Sequence, residues 1–119
     1  MRGRELKFKS KLEKLAYDIL VEIFKNTKFN IYLHYYIPTI GLEVDMAIPE
    51  LSLAFEVQGE QHRDPEHFFN TRKRFKFLSQ KERDKYLKEM LEINGWKLIE
   101  LYPEDLTYET IYKKIMEEN

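Results

Sequence analysis

The strongest constraint on the fold is a pair of short segments, LEVDMAI and LSLAFEVQ, separated only by Pro49-Glu50. Apolar residues alternate with other residues in both segments, and this period of two is typical of strands that bury one face. The apolar positions are Leu42, Val44, Met46 and Ile48 in the first segment and Leu51, Leu53, Phe55 and Val57 in the second. Strands joined by so short a connection pair antiparallel, so the sequence predicts a β-hairpin.

Helix and strand patterns flank this hairpin on both sides. The predicted elements are a capped helix from Ser10 to about Asn26, a strand from Phe29 to Tyr36, the two hairpin strands, a helical stretch from Arg72 to Asn94 that restarts at Ser79, a strand from Trp96 to Tyr102 and a helix from about Thr107. A strand, a helix and a further strand at this spacing favour a parallel crossover. We therefore expect one α/β domain over residues 1–119, with a mixed sheet flanked by helices in the order α-β-β-β-α-β-α.

The residue types restrict the chemistry and the compartment. The chain has no cysteine, which excludes disulfides and thiolate zinc sites and leaves metal binding to carboxylates, imidazoles and carbonyls. Its apolar runs are only a few residues long, and the beginning, MRGRELKFKSK, lacks the apolar core of a secretion signal. We expect a cytoplasmic protein without a membrane span.

Charge is strongly segregated although the net charge is −1. Residues 1–14 carry six Lys or Arg against two acids, and residues 70–88 carry eight against two. Two such blocks could form a phosphate-binding face, whereas Lys-rich helices are more often solvated surfaces.

Two acids in the hairpin are predicted to converge. With a tight turn, Asp45 lies opposite Ala54. With a longer loop that shifts the pairing by two residues, Asp45 lies opposite Glu56. The longer loop is favoured, because proline cannot adopt the positive φ of the tightest hairpin turns. Both registers bring Asp45 and Glu56 within reach of one Mg²⁺ ion. A solvated polar face is the alternative, but the small residues Ala47, Ser52 and Ala54 leave room for a site.

The segments VDMAIPELSLAFEVQGEQH and KERDKYLKEMLEINGWKLIEL resemble the PD-(D/E)XK nuclease superfamily. They are most similar to its very-short-patch-repair-like and phage or homing endonucleases, which share a Glu, Asp, x, His, Asp set, and the match covers about residues 10–102. The resemblance implies a restriction-endonuclease-like fold and metal-dependent hydrolysis of phosphodiester bonds. It also assigns roles to Glu13, Asp45, Glu56, His62 and Asp84: the metal ligands would be Asp45, Glu56 and Glu13.

The chain departs from the superfamily at Gln58, which stands where the Lys is expected. Glutamine cannot transfer protons, but its amide can orient water or a phosphate oxygen. His62 is then the candidate base, with a turn-capping histidine as the alternative. Glu13 is equally well explained by a capping box with Ser10. Asp84 has the alternative of pairing with a lysine on its own helix, and His34 is interpreted as a structural strand residue.

These observations predict a DNA endonuclease that uses Mg²⁺, with Mn²⁺ as a substitute. The expected phosphate contacts are Arg72, Lys73, Arg74, Lys76, Arg83 and Lys85. No obvious sequence reader is present, so we expect a homodimer, recognition of DNA structure, or a partner protein that confers specificity; a Holliday-junction resolvase is one such structure-directed activity. The rival hypotheses are a nuclease fold that binds DNA or RNA without catalysis, supported by Gln58, and a simple interaction domain.

Overall fold

The computed structural model describes residues 6–59 and 79–117 of the 119-residue chain. Helices and strands are numbered here along these residues: α1 is Lys11–Ile23, β1 is Tyr32–Ile37, β2 is Leu42–Ile48, β3 is Leu53–Val57, α2 is Gln80–Ile93, β4 is Lys97–Leu101 and α3 is Tyr108–Met116. The predicted α/β class and element order are confirmed. The predicted roles of His62, Arg72, Lys73, Arg74 and Lys76 concern positions outside the described residues.

The four strands form one mixed sheet in the order β1-β2-β3-β4. Neighbouring strands are antiparallel except for β3 and β4, which pair in parallel, as the strand-helix-strand pattern predicts. The hairpin loop is one turn of 3₁₀-helix, Pro49–Leu51, followed by Ser52 in the left-handed region at φ 53°. Met46 pairs with Phe55, so the longer loop and its register are confirmed and Asp45 lies opposite Glu56.

Apolar side chains cover both faces of the sheet. On one face α1 and α3 pack over β3 and β4, with Ala16, Leu20, Phe55, Leu101 and Ile111 buried between them. On the other face Leu91 of α2 packs in a second cluster that also contains buried residues of β1, β2 and β3. The two clusters fix the helices that carry Glu13 and Asp84 against opposite sides of the same sheet.

The predicted alternation in β2 is correct only in part. Leu42 and Val44 pack in the α2-side cluster, whereas Met46 and Ile48 pack in the cluster under α1. The neighbouring strand changes face at the same level, where His34 adopts a left-handed φ of 49° and interrupts the regular extended backbone. The ladder partners pass from Leu33–Met46 directly to Tyr35–Val44, skipping the pair between them. The interruption therefore lies at His34 and Asp45.

Local signals fix the helix ends. α2 begins with the predicted capping box, in which Ser79 Oγ accepts from Glu82 N at 3.1 Å and Glu82 Oε1 accepts from Ser79 N at 2.9 Å. α3 ends where Lys97 Nζ donates to the carbonyls of Lys114, Ile115 and Glu117. A cation at a helix C-terminus satisfies carbonyl groups that have no partner inside the helix. Along residues 6–59 and 79–117, no helix is long and apolar enough to cross a membrane.

Candidate active site around Asp45 and Glu56

Asp45 and Glu56 hold each other in place across the hairpin. Glu56 Oε2 accepts the backbone N–H of Asp45 at 2.9 Å, and Asp45 Oδ2 accepts the backbone N–H of Val57 at 2.8 Å. These side-chain bonds begin where the regular pairing of β2 with β3 ends, at Met46 and Phe55. The exchange satisfies two strand N–H groups and fixes both side chains at facing positions of neighbouring strands.

Asp45 is in an environment that disfavours its charge. Burial raises the pKa of the Asp45 carboxyl, and the negative charge of Glu13 raises it further. The hydrogen bond from Val57 and the electrostatic influence of the nearby basic side chains Lys9 and His34 act in the opposite direction. Lys9 Nζ lies 3.7 Å from Asp45 Oδ1 and 3.8 Å from Glu43 Oε2 on the exposed side of the site. Burial is the largest of these effects, so the site would be stabilised by a further positive charge.

Glu13 is almost completely buried on the first turn of α1, with 2% of its surface exposed. Ser10 Oγ accepts the backbone N–H of Glu13 at 3.1 Å, which confirms the predicted N-cap. The Glu13 side chain accepts the backbone N–H of Lys9 at 2.7 Å. In a capping box this side chain would accept the backbone N–H of Ser10, so the bond is made to the preceding residue instead. The same oxygen, Oε1, lies 3.0 Å from His34 Nε2.

His34 belongs to this site, although the sequence alone indicates only a strand residue. Its backbone position lies between the pairs Leu33–Met46 and Tyr35–Val44, which places it across from Asp45. Its side chain is about three-quarters buried, with 26% of its surface exposed. The contact with Glu13 joins residues 21 positions apart, so no local motif could reveal it. The position of His34 at the level of Asp45 could have been predicted by counting the β1–β2 register back from the Ile37–Gly41 turn.

A second pair of acids, Asp84 of α2 and Glu100 of β4, lies on the α2 side of the sheet. Glu100 pairs with Glu56 in the parallel ladder of β3 and β4. Burial raises the pKa of Asp84 to about 6, with a further rise from the charge of Glu100 and a partly compensating effect of Arg83. One polar row thus crosses the four strands and consists of His34, Asp45, Glu56 and Glu100. The helices add Glu13 and Asp84 on opposite sides of the sheet.

The raised pKa of Asp84 predicts a pH-dependent gain in stability for Asp84→Asn. Because the folded state holds this proton more tightly than the unfolded chain does, wild type loses stability as pH rises from about 4 through about 6. The Asn variant has no carboxyl group to ionise at this position, so it does not lose this stability as pH rises. After a discount for partial exposure, we expect it to unfold with about 1 kcal/mol more free energy than wild type above about pH 7, and with little difference at about pH 4.

Urea unfolding of both proteins at several pH values measures this difference. Glu92→Gln, at an exposed position of the same helix, is the matched control and should change stability little at any pH. A gain for Asp84→Asn that is the same at low and high pH would contradict the role of the Asp84 charge.

The remaining predicted residues occupy different environments. Gln58 is buried with 4% exposure just after β3, and its backbone N–H donates to the Leu101 carbonyl at 2.8 Å. Arg83 is also buried, with 9% exposure, whereas Lys85 is exposed. Lys85 is therefore the better placed of these two predicted phosphate contacts.

The described part of the chain contains no group of three or more His, Asp or Glu side chains arranged to hold a metal ion. The donors present are the fixed carboxylates of Asp45 and Glu56, which are hard oxygen ligands of the kind that Mg²⁺ and Mn²⁺ prefer. Mg²⁺ commonly keeps several waters and uses only one or two protein carboxylates. The pair therefore fits a hydrated divalent cation.

Comparison of the chain with protein-family models, curated proteins and solved structures finds no match. The resemblance to PD-(D/E)XK nucleases thus remains a prediction from the motifs.

Proposed function

We propose that this protein is an endonuclease that hydrolyses phosphodiester bonds of DNA with Mg²⁺ or Mn²⁺ as cofactor. The observation that carries the proposal is the reciprocal hydrogen bonding of Asp45 and Glu56, which fixes two acidic side chains at facing positions of neighbouring strands where burial disfavours the charge of Asp45. Side chains held in this way need no reorganisation to bind a cation. A solvated polar face would not require either feature.

Asp45 and Glu56 would hold the cation. Glu13, the third ligand that the motif resemblance predicts, has its Oε1 engaged by the Lys9 N–H and His34. When bound, such a cation supplies a lowered pKa for water and neutralises charge on the phosphate. The chain itself contributes the rigid carboxyl pair, the exposed ammonium group of Lys9 beside it and the buried amide residue Gln58. Lys9 is well placed for a phosphate oxygen on the open side of the site.

DNA is favoured as the substrate by the basic blocks on either side of this site. Lys7, Lys9, Lys11 and Lys14 are exposed in the segment around the start of α1, and Lys81, Lys85 and Lys88 are exposed along α2. Such residues neutralise backbone phosphates without reading the sequence. We propose that specificity comes from DNA structure, from a homodimer or from a partner protein, and that the protein acts in the cytoplasm.

A catalytically inactive nucleic-acid-binding module is the second candidate, because Gln58 replaces the expected lysine. It predicts binding without hydrolysis, whereas the nuclease predicts metal-dependent cutting. The deciding experiment incubates the purified protein with supercoiled plasmid and with nicked, mismatched and branched duplexes, in Mg²⁺, Mn²⁺ or EDTA. Cutting that requires the metal supports the nuclease, and binding to DNA or RNA without cutting of any substrate supports the module.

A further inference from the structure

His34 has a combination of features that a merely structural strand residue does not need. It adopts a left-handed φ of 49° in the middle of β1, and a non-glycine residue pays conformational free energy for this backbone. Such local strain persists only where the surrounding structure imposes it, and it is concentrated at functional sites. Here the strained residue lies at the level of Asp45, where the ladder of β1 and β2 is interrupted.

The contact with Glu13 defines which nitrogen of His34 carries the proton. A carboxylate can only accept hydrogen bonds, so Nε2, which lies 3.0 Å from Glu13 Oε1, must be the donor. In the neutral ring Nδ1 is then the acceptor nitrogen. Among the described residues, none hydrogen-bonds to Nδ1, and part of the side chain is exposed. Glu13 is itself fixed by the Lys9 N–H and by burial, so it can orient the ring rigidly.

We propose that His34 is the general base of the nuclease reaction and that Glu13 is its positioning residue. Nδ1 takes a proton from the attacking water as the O–H bond breaks, and the water oxygen forms the new bond to phosphorus. The bond from phosphorus to the leaving ester oxygen breaks with its electron pair on that oxygen, which receives a proton from solvent. A carboxylate that fixes the tautomer and direction of a histidine base is a general catalytic arrangement.

This inference rests on the proposed nuclease function and deepens it in one respect. Gln58 cannot accept a proton, so a base must come from elsewhere in the chain. The motif resemblance assigns that role to His62, outside the described residues. His34 is assigned this role because it lies where the ladder is interrupted, between the pairs Leu33–Met46 and Tyr35–Val44, at the level of Asp45 on the neighbouring strand, and because its ring contacts Glu13 there.

The experiment uses the positive φ of His34 to separate folding from catalysis. Glycine and asparagine tolerate this backbone conformation, so His34→Gly and His34→Asn should still fold, with relief of backbone strain partly offsetting the lost hydrogen bond to Glu13. We expect both variants to bind DNA normally but to cut it about 10²–10⁴-fold more slowly under single-turnover conditions. Added imidazole should accelerate His34→Gly, which leaves space for it, and should not accelerate Asp45→Asn.

Two comparisons complete the cleavage experiment. Tyr36→Phe, at an exposed position of the same strand, should cut at the wild-type rate. Glu13→Gln should slow the chemical step about 10–100-fold without weakening DNA binding, because a residue that only orients the base contributes on that scale. An unchanged rate for His34→Gly overturns the inference, as does a slow His34→Gly that imidazole does not accelerate. Imidazole rescue of His62→Gly instead would also overturn it.

A measurement independent of cleavage tests the arrangement in the metal-free protein. The ¹⁵N chemical shifts of the neutral His34 ring should show the tautomer protonated at Nε2, and Glu13→Gln should reduce its preference. Predominance of the Nδ1-protonated tautomer would overturn the proposed pairing of His34 with Glu13. A wild-type protein that cuts no substrate overturns the nuclease proposal together with this inference, whereas cutting at equal rates by wild type and His34→Gly overturns this inference alone.

Discussion

Asp45→Asn is expected to reduce metal-dependent DNA cleavage by at least about 100-fold, since removal of residues that merely support a metal ligand already costs about 10–100-fold. Asparagine keeps an oxygen that can accept the Val57 N–H, so the hairpin should remain intact. The lost charge should also abolish the rise in thermal midpoint that we expect Mg²⁺ or Mn²⁺ to produce in wild type by binding the folded state. Initial cutting rates and melting curves with and without metal measure both effects.

Glu43→Gln is the matched control, because Glu43 precedes Asp45 by two residues on the same strand, also lies close to Lys9 and is exposed. It should retain both cleavage and the metal-induced shift. Equal losses in the two variants would show that general negative charge, and not the Asp45–Glu56 pair, supports the activity. An Asp45→Asn variant that binds metal and cuts like wild type would reject the proposed site.

Leu20→Ala is expected to lower the free energy of unfolding by about 2–5 kcal/mol, the usual range for removal of a buried leucine side chain. Leu20 is fully buried where α1 packs on the sheet, so truncation removes apolar contacts and leaves a cavity. This packing holds Glu13 near His34. Urea unfolding at constant slope measures the loss.

Leu15→Ala makes the same chemical change on the same helix at a position with 44% exposure. It should change the free energy of unfolding by less than about 1 kcal/mol, because less apolar surface returns to water. Similar losses for Leu15→Ala and Leu20→Ala would contradict the observed orientation of α1 against the sheet.

The elements of the fold could be predicted because their signals are local. Alternation around Pro49 identified the hairpin, proline geometry selected its register, and Ser10, Ser79 and Thr107 each cap the helix that was expected to follow. The ends were less accurate: α1 stops at Ile23 instead of about Asn26, and β1 begins at Tyr32 instead of Phe29. Final turns depend on tertiary packing more than on propensity.

The Asp45–Glu56 pair was predictable for the same reason, because a short loop fixes which residues face each other. The environment of Glu13 was not. Its contact with His34 requires α1 to pack against the sheet. The change of face at His34 and Asp45 coincides with a left-handed backbone at His34, which no residue pattern predicts. Period-two reasoning assumes an unbroken pleat, so it assigned Leu42 and Val44 to the same face as Met46 and Ile48.

The capping box of α2 has a consequence for engineering. Ser79 and Glu82 complete each other's hydrogen bonds, so the position where α2 starts is encoded within the helix's own first turn. Leu91 then anchors its far end against the sheet. The level of Asp84 relative to the sheet is therefore set by residues of α2 itself, from its first turn to Leu91, and these are the positions to keep unchanged in any redesign of the protein.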